Sequence, residues 1–266
     1  MQNLKVGITG LGLIGGSILK RLSDKGFYTV VVSKSSCDKA KKWASECSCD
    51  LSILKNVDVV FVCSEMSKTL EVLDELEKIL NPETVVADVC SLKEFVCGKE
   101  RVYKFIGTHP MAGVEFSGFE SSFPELFEGA KWVMSEHNEV LEHLIIQAGA
   151  EPVIMDPKTH DEAAAMVSHL PMLMAQGLFG AAEKHKNALI LASSGFRDAT
   201  RLAAANPTLS NDMIEMNLQN IENALREVLE QMEYLKKLPY GERIRALEKN
   251  AQDRAKMYDK QGKNTL

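Results

Sequence analysis

The run Lys5–Gly16, KVGITGLGLIGG, constrains this chain more than any other segment. Lys5-Val6-Gly7-Ile8-Thr9 reads as a buried strand. Gly10-Leu11-Gly12-Leu13-Ile14-Gly15-Gly16 then opens a helix whose apolar residues keep helical spacing from Leu13 to Lys25. The three spaced glycines answer three needs. Gly10 permits the tight turn, Gly12 lets a pyrophosphate approach the backbone, and Gly15 lets the helix lie close on the sheet. The helix N-terminus, with Leu13 and Ile14 in its first turn, offers free amides and a positive dipole end to phosphates. Gly10, Gly12, Leu13, Ile14 and Gly15 are therefore candidate cofactor-binding residues. Cys63 and Ser64, at the end of the third strand, complete the set.

The rest of the first 155 residues repeats the alternation of strand and helix. Strands are expected at Thr29–Val32, Val57–Cys63 and Thr84–Asp88, with shorter ones at Lys104–Gly107 and Lys131–Met134. Helices are expected at Asp38–Cys47 and Ser67–Leu80. Continuous apolar strands separated by helices predict an α/β domain, a Rossmann-like, mostly parallel sheet covered on both faces. Beyond residue 155 strand signals vanish, and Ala, Leu, Met, Glu and Lys dominate. The expected division is a dinucleotide-binding domain over 1–155 and an all-α substrate and dimerisation domain over 156–266. Thr159-His160-Asp161-Glu162 has the form of a capping box opening a helix. Pro171 removes an amide donor and frees the carbonyl of Val167, which places a kink near Ser168 and His169. From Ile214 the apolar positions Leu218, Ile221, Leu225, Val228, Met232 and Leu235 follow at alternating spacings of four and three. Such a seam is either a buried helix or a subunit interface. We expect the latter, a homodimer built through the C-terminal helices, and a frayed end from Gln261 to Leu266.

Composition excludes several classes of function. The net charge of -6, with Lys and Arg scattered, argues against a nucleic-acid partner. No run of 18 apolar residues exists, so no membrane helix is expected. The start runs directly into a strand, so no signal peptide is expected. The six cysteines, Cys37, Cys47, Cys49, Cys63, Cys90 and Cys97, have no zinc-ligand spacing. All six are expected to be reduced thiols of a cytoplasmic protein without a bound metal.

The second strand ends Val32-Ser33-Lys34-Ser35-Ser36-Cys37, with no acid before Asp38. NAD-binding folds usually place a carboxylate there for the ribose 2′-hydroxyl. A lysine among hydroxyls would instead bind a 2′-phosphate. Ser33, Lys34, Ser35 and Ser36 thus favour NADP over NAD.

Three further segments are dense in polar chemistry: Gly107-Thr108-His109-Pro110-Met111-Ala112-Gly113, His160-Asp161 with Ser168-His169-Leu170-Pro171, and Ser193-Ser194-Gly195-Phe196-Arg197-Asp198-Ala199-Thr200-Arg201. With the glycine turn, Asp88-Val89-Cys90-Ser91-Leu92-Lys93 and Asn206-Pro207, these segments resemble the prephenate/arogenate dehydrogenase family of tyrosine biosynthesis. The resemblance covers residues 5 to about 217. Ser33–Cys37 looks like the NADP-type loop of arogenate-preferring members. What the resemblance implies is an oxidative decarboxylation: hydride leaves C4 of a cyclohexadiene ring for the nicotinamide, and the C1 carboxylate departs as carbon dioxide. It also implies a dimer made by the helical domain.

By its match to GTHPMAG, His109 is the group that draws on the C4 hydroxyl, a task suited to a histidine. Ser91 resembles the serine that bonds both that histidine and the substrate hydroxyl; a helix cap is compatible with that role. Arg201 matches the arginine that grips a substrate carboxylate. Arg197 is either a second such cation or a structural partner of Asp198. His169 and Ser168 line the site by resemblance, and His160-Asp161 is expected to order the start of a helix, supporting the site from behind. Pro171 is followed by Met172, and the Asn206-Pro207 segment lacks the tryptophan that some members carry. Residue logic therefore does not separate arogenate from prephenate; the NADP-like loop favours arogenate. Two other readings compete. One is a 3-hydroxy-acid or imine reductase, although the helical Lys158, Lys184 and Lys186 read as surface charges. The other is a non-catalytic NADP-sensing regulator, which would have no use for His109, Ser91 and Arg201 together.

Overall fold

The computed structural model describes residues 3–114 and 116–262. The chain starts as β1 (Lys5–Thr9), α1 (Leu13–Asp24), β2 (Tyr28–Val32), α2 (Cys37–Ala40), β3 (Glu46–Ser48), β4 (Val59–Val62), α3 (Met66–Leu76), β5 (Val85–Asp88), α4 (Glu94–Cys97) and β6 (Lys104–Ile106). The strands pair in the order β3-β2-β1-β4-β5-β6, all parallel. The first strand is central and the order reverses beside it, which puts a binding crevice at the carboxyl ends of β1 and β4.

Alternation along the strands fills both faces. Val31, Val59 and Phe61 join Ile18, Leu19 and Trp132 on one side. Val30, Val32, Val60 and Val62 meet Leu73, Leu76 and Tyr103 on the other. Each β-branched residue therefore packs on a pleated surface with no face left to water.

Two local expectations fail between β2 and β4. The helix expected over Asp38–Cys47 is a single turn, α2, and the chain comes back as β3, pairing Glu46–Ser48 with Val30–Val32. This return brings the Cα atoms of Cys37 and Cys47 to 5.7 Å, and the two form a disulfide. The expectation of six free thiols is thus corrected to four, at Cys49, Cys63, Cys90 and Cys97. The cause is tertiary: a strand edge pairing that helix-like composition does not announce.

A second sheet follows. β7 (Thr108–Pro110) is antiparallel to β8 (Lys131–Met134), and β8 is parallel to β9 (Glu151–Ile154), with α5 (Glu139–Ala148) between them. Gly107 separates β6 from β7. A Cβ there would lie 2.4 Å from Cys97 Sγ, so any other residue would have to displace that thiol where the chain crosses from one sheet to the other.

After β9 the described chain is helical: α6 (Pro157–Ala164), α7 (Leu170–Glu183), α8 (Lys186–Ile190), α9 (Ser194–Ala199), α10 (Pro207–Met216), α11 (Leu218–Lys237) and α12 (Tyr240–Gly262). No helix is long and apolar enough to cross a membrane among the described residues. The cap of α6 is Asp156, whose side chain accepts from Thr159 N, with Pro157 in the first turn. Thr159 is therefore not the cap, because Pro157 already fixes a helical start two residues earlier. Between α6 and α7, Ala165–His169 forms a wide π-turn in which Leu170 N donates to Ala165 O, five residues back. This is the irregularity expected just ahead of Pro171. The seam from Ile214 is not continuous, since Asn217 interrupts it between α10 and α11 with φ -122° and ψ 21°. Of the expected frayed end, residues 263–266 lie outside the described residues, and Gln261 and Lys263's predecessor Gly262 belong to α12.

Candidate active site

The glycine turn behaves as its spacing requires. Gly10 has φ +82°, and a Cβ there would sit 2.5 Å from Cys63 O. A Cβ on Gly15 would sit 2.1 Å from Gly10 O. At Gly12, in contrast, a Cβ would meet nothing within 4 Å. Gly12 also caps α1 without any side-chain bond, which leaves the first-turn amides of Leu13 and Ile14 free to receive an anion. The turn therefore fits a nucleotide pyrophosphate, with open space at the glycine where close approach is needed.

Cys63 forms the floor of this turn, and burial pushes its thiol above the ordinary range. Ser64 Oγ shares a hydrogen bond with Thr69 Oγ1 at 3.0 Å. At the adenosine end, Ser33 is buried and its Oγ accepts from Ser36 N at 3.1 Å. Lys34 and Ser35 are exposed, and Ser35 Oγ lies 3.5 Å from Ser36 Oγ. The Cys37–Cys47 disulfide closes the far side of this loop. Asp38, the first acid after β2, is paired with Lys41 and exposed.

His109 lies on β7, opposite Val133. The turn before it is held by a buried ion pair. Asp88, at the end of β5, accepts from Thr108 N at 2.8 Å and from Cys90 N at 2.8 Å. Asp88 also pairs with the fully buried ammonium of Lys93, which donates to Thr108 O at 2.6 Å. Both carboxylate oxygens and two of the three ammonium protons of this pair are used, so the buried charges are paired and hydrogen-bonded.

A chain of hydrogen bonds reaches His109 from the helical region. Asp161 Oδ1 accepts from Lys93 N at 2.7 Å, and Oδ2 accepts from Glu94 N at 3.0 Å, so a side chain of α6 caps α4. Asp161 Oδ1 also bonds His160 Nδ1 at 2.7 Å, and His160 Nε2 bonds His109 Nδ1 at 2.9 Å. The carboxylate can only accept, so His160 carries its proton on Nδ1. In a neutral ring its Nε2 is then bare and accepts from His109 Nδ1–H. His109 Nε2 is left as a lone pair. Burial, followed by the charges of His160, Lys93 and His169, holds His109 well below the ordinary histidine pKa. The arrangement delivers an unprotonated, oriented acceptor.

The π-turn and Asn217 place His169. The ring is fully buried, and its Nδ1 lies 3.0 Å from Asn217 Nδ2. Burial lowers its pKa to about 4. Ser168 is half-buried in the same turn. Arg197 and Arg201, on α9 and the turn after it, are both exposed. Arg197 Nε pairs with Asp198 Oδ1 at 3.4 Å. Ser91 is half-buried, and its hydroxyl donates to Met66 Sδ at 3.6 Å. The described contacts therefore do not join Ser91 to His109. Nor does Ser91 cap a helix, since α4 begins at Glu94 with Lys93 as its cap. The sequence reading placed His160-Asp161 behind the site at the start of a helix, and missed that the pair bonds His109 directly through His160. His160 lies 51 positions from His109, and no local pattern reports such a distance. Among the described residues no cluster suited to a metal ion is found.

A nucleotide-binding sheet, followed by helices that supply acid and histidine partners to an oriented base, defines a two-domain nicotinamide-dependent dehydrogenase. Residues 14–146 match the prephenate dehydrogenase nucleotide-binding domain, and residues 156–251 match the prephenate dehydrogenase dimerization domain. The chain belongs to the prephenate dehydrogenase family. It is 30% identical to the prephenate dehydrogenase of Lactococcus lactis over 240 residues, 82% of this chain and 68% of that protein. A crystal structure of Synechocystis arogenate dehydrogenase matches with TM-score 0.83 at 30% identity, over 96% of this chain and 100% of the other. Prephenate dehydrogenase from A. aeolicus, in complex with hydroxyphenyl propionate and NAD+, matches with TM-score 0.83 at 26% identity, over 97% and 99%.

Proposed function

We propose that the enzyme converts arogenate to tyrosine by oxidative decarboxylation with NADP, as a cytoplasmic homodimer. Its dinucleotide-binding domain would span 1–155 and its helical domain 156–266. The observation that carries the chemistry is the bare Nε2 of His109 at the end of the Asp161–His160–His109 chain. That atom takes the proton of the C4 hydroxyl as the C4–H bond breaks. The bound nicotinamide supplies the acceptor for the hydride. Loss of the C1 carboxylate as carbon dioxide then leaves its bonding pair in the ring, which becomes a phenol once the proton returns. Asp161 keeps His160 in the tautomer that His109 needs and stabilises the positive charge that His109 gains. Arg201 is the proposed cation for a substrate carboxylate, with Arg197, His169 and Ser168 as further substrate contacts. Ser91 is proposed to turn from Met66 toward the substrate hydroxyl when substrate binds.

The NADP preference rests on Lys34, exposed among Ser33, Ser35 and Ser36 with no carboxylate at the strand end. Gly10, Gly12, Leu13, Ile14, Gly15, Cys63 and Ser64 form the remaining cofactor contacts in this proposal. A second reading, prephenate giving 4-hydroxyphenylpyruvate, is favoured by relatives from Lactococcus lactis and Bacillus subtilis, both prephenate dehydrogenases. Turnover of purified protein with arogenate or prephenate, each with NAD or NADP, separates the readings through the absorbance of the reduced nicotinamide. Fastest turnover with arogenate and NADP is expected. Turnover with prephenate alone, or with NAD at least as well as NADP, would overturn the corresponding part.

A further inference from the structure

Asn217 breaks the apolar seam of the C-terminal helices, and its side chain is buried at the point where α6, the π-turn and α11 meet. Its Nδ2 lies 3.0 Å from the main-chain oxygen of Asp161 and 3.0 Å from His169 Nδ1. Its Oδ1 accepts from Asn220 Nδ2 at 2.9 Å. A carbonyl oxygen can only accept, so the atom facing Asp161 O must be the amide nitrogen. The second proton of that amide points at His169 Nδ1, which must therefore present a lone pair. A neutral imidazole carries one proton, and here it sits on Nε2. Burial keeps the ring neutral across the physiological range. His169 Nε2 is enclosed and has no hydrogen-bond partner among the described residues, so its N–H is left for something that the protein does not itself supply.

We propose that Asn217 is a positioning residue that fixes His169 as an Nε2–H donor, and so commits that end of the site to a substrate group that accepts a hydrogen bond. A carboxylate or carbonyl oxygen meets this demand; an ammonium, which only donates, does not. The inference rests on the reading above that His169 faces the substrate. It also explains the interrupted seam. Non-helical backbone at Asn217 turns a side chain that would lie along the helix seam toward two residues of the site. Because the same amide holds the main chain of Asp161, one residue sets the register of His169 and of the carboxylate that orients His160.

The test uses the full-length protein with 15N-labelled histidine. His169 is assigned by the signal lost in His169→Gln. Wild type should show a bare Nδ1 and a protonated Nε2 at His169. Asn217→Leu, close in size but without a donor, should give a mixture of tautomers. Asn217→Asp should draw the proton onto Nδ1. In Asn217→Leu the substrate KM should rise roughly 10-fold or more, the effect of one lost hydrogen bond to a charged group. Its kcat and the affinity for the cofactor should change much less, a split that general loosening of the fold would not produce. A proton on Nδ1 in wild type overturns the proposal without any variant. So does an Asn217→Leu protein with an unchanged tautomer and unchanged KM. An unchanged KM in His169→Gln, with the tautomer as expected, overturns the substrate half of the proposal together with the reading on which it rests; the Asn217 assignment then stands alone.

Discussion

In the six-stranded sheet all four residues of β4 are buried, whereas in the 20-residue α11 only Ile221 and Ala224 are. Both segments are rich in apolar side chains. Those of the sheet find partners within the chain, on α1, α3 and α5. On the helical side, Leu229 and Met232 are each 51% exposed, Tyr240 is 79% exposed and Leu247 50%. An amphipathic helix in water must lay such a stripe on something. The sheet region thus completes its own core, and the helical region presents surface suited to a second copy, in keeping with the family description of this part as a dimerization domain. The comparison teaches that one chain can join a sheet region that completes its own core to a helical region that leaves apolar surface uncovered.

The largest expected effect tests the first half of that contrast. Trp132 is fully buried against Phe61 and Phe127. Trp132→Ala should cost about 3–5 kcal/mol in urea unfolding. Leu229→Glu should change the stability of an isolated chain by no more than about 0.5 kcal/mol, yet split a dimer into particles near 29 kDa by light scattering. A stable, active wild-type monomer would erase the contrast.

Next in size is the chemistry that spans both regions. His109→Asn should lower kcat on the order of 10²-fold or more while cofactor titration is unchanged. Asp161→Asn, on the helical side, should lower kcat on the order of 10-fold or more through the wrong tautomer of His160. Near-normal turnover in both variants would sink the relay.

A smaller effect belongs to the sheet region alone. Ser33→Asp places a like charge beside a 2′-phosphate and should weaken NADP about 10-fold relative to NAD. The substrate KM and the oligomeric state should stay constant. Loss of affinity for both cofactors alike would show that Ser33 supports the loop and does not read the phosphate.

The smallest effect is a pH slope. Burial lowers His109 below its ordinary pKa of 6.5 and His169 to about 4. At these two rings the folded protein therefore binds fewer protons than the unfolded chain below pH 6.5. The stability these rings contribute is complete above about pH 6.5 and is lost as the pH falls toward about 4. The midpoint of thermal unfolding should drop over that interval, and less steeply in His169→Gln. An identical slope in the variant would remove His169 from the account.

The same contrast governs what could be read from the residues alone. The glycine turn, the parallel strands and the irregularity ahead of Pro171 follow from spacing within a dozen residues, and the structure has them. Strand β3 escaped because three residues at a sheet edge carry almost no periodicity, and the Cys37–Cys47 bridge escaped with it. In the second sheet β8 was expected at its observed bounds, but β7, which carries His109, escaped for the same reason, since it is only three residues long. His160-Asp161 was legible as a polar pair but not as a relay. Its partners, His109, Lys93 and Glu94, come from other elements, and only the packing of α6 on α4 brings them together.

The capping of α4 by Asp161 also sets an order in time. The strands of the six-stranded sheet are all synthesised by Ile106, α1 and α3 by the same point, and α5, which also covers the sheet, by Ala148. A ribosome delivers the chain from the N-terminus, and regions that close their own core can fold as they emerge. Lys93 N and Glu94 N must wait for Asp161, some 67 residues later, before they find their acceptor. The sheet would thus stand complete while His109 still lacks its His160–Asp161 partners, which arrive only with the helical half.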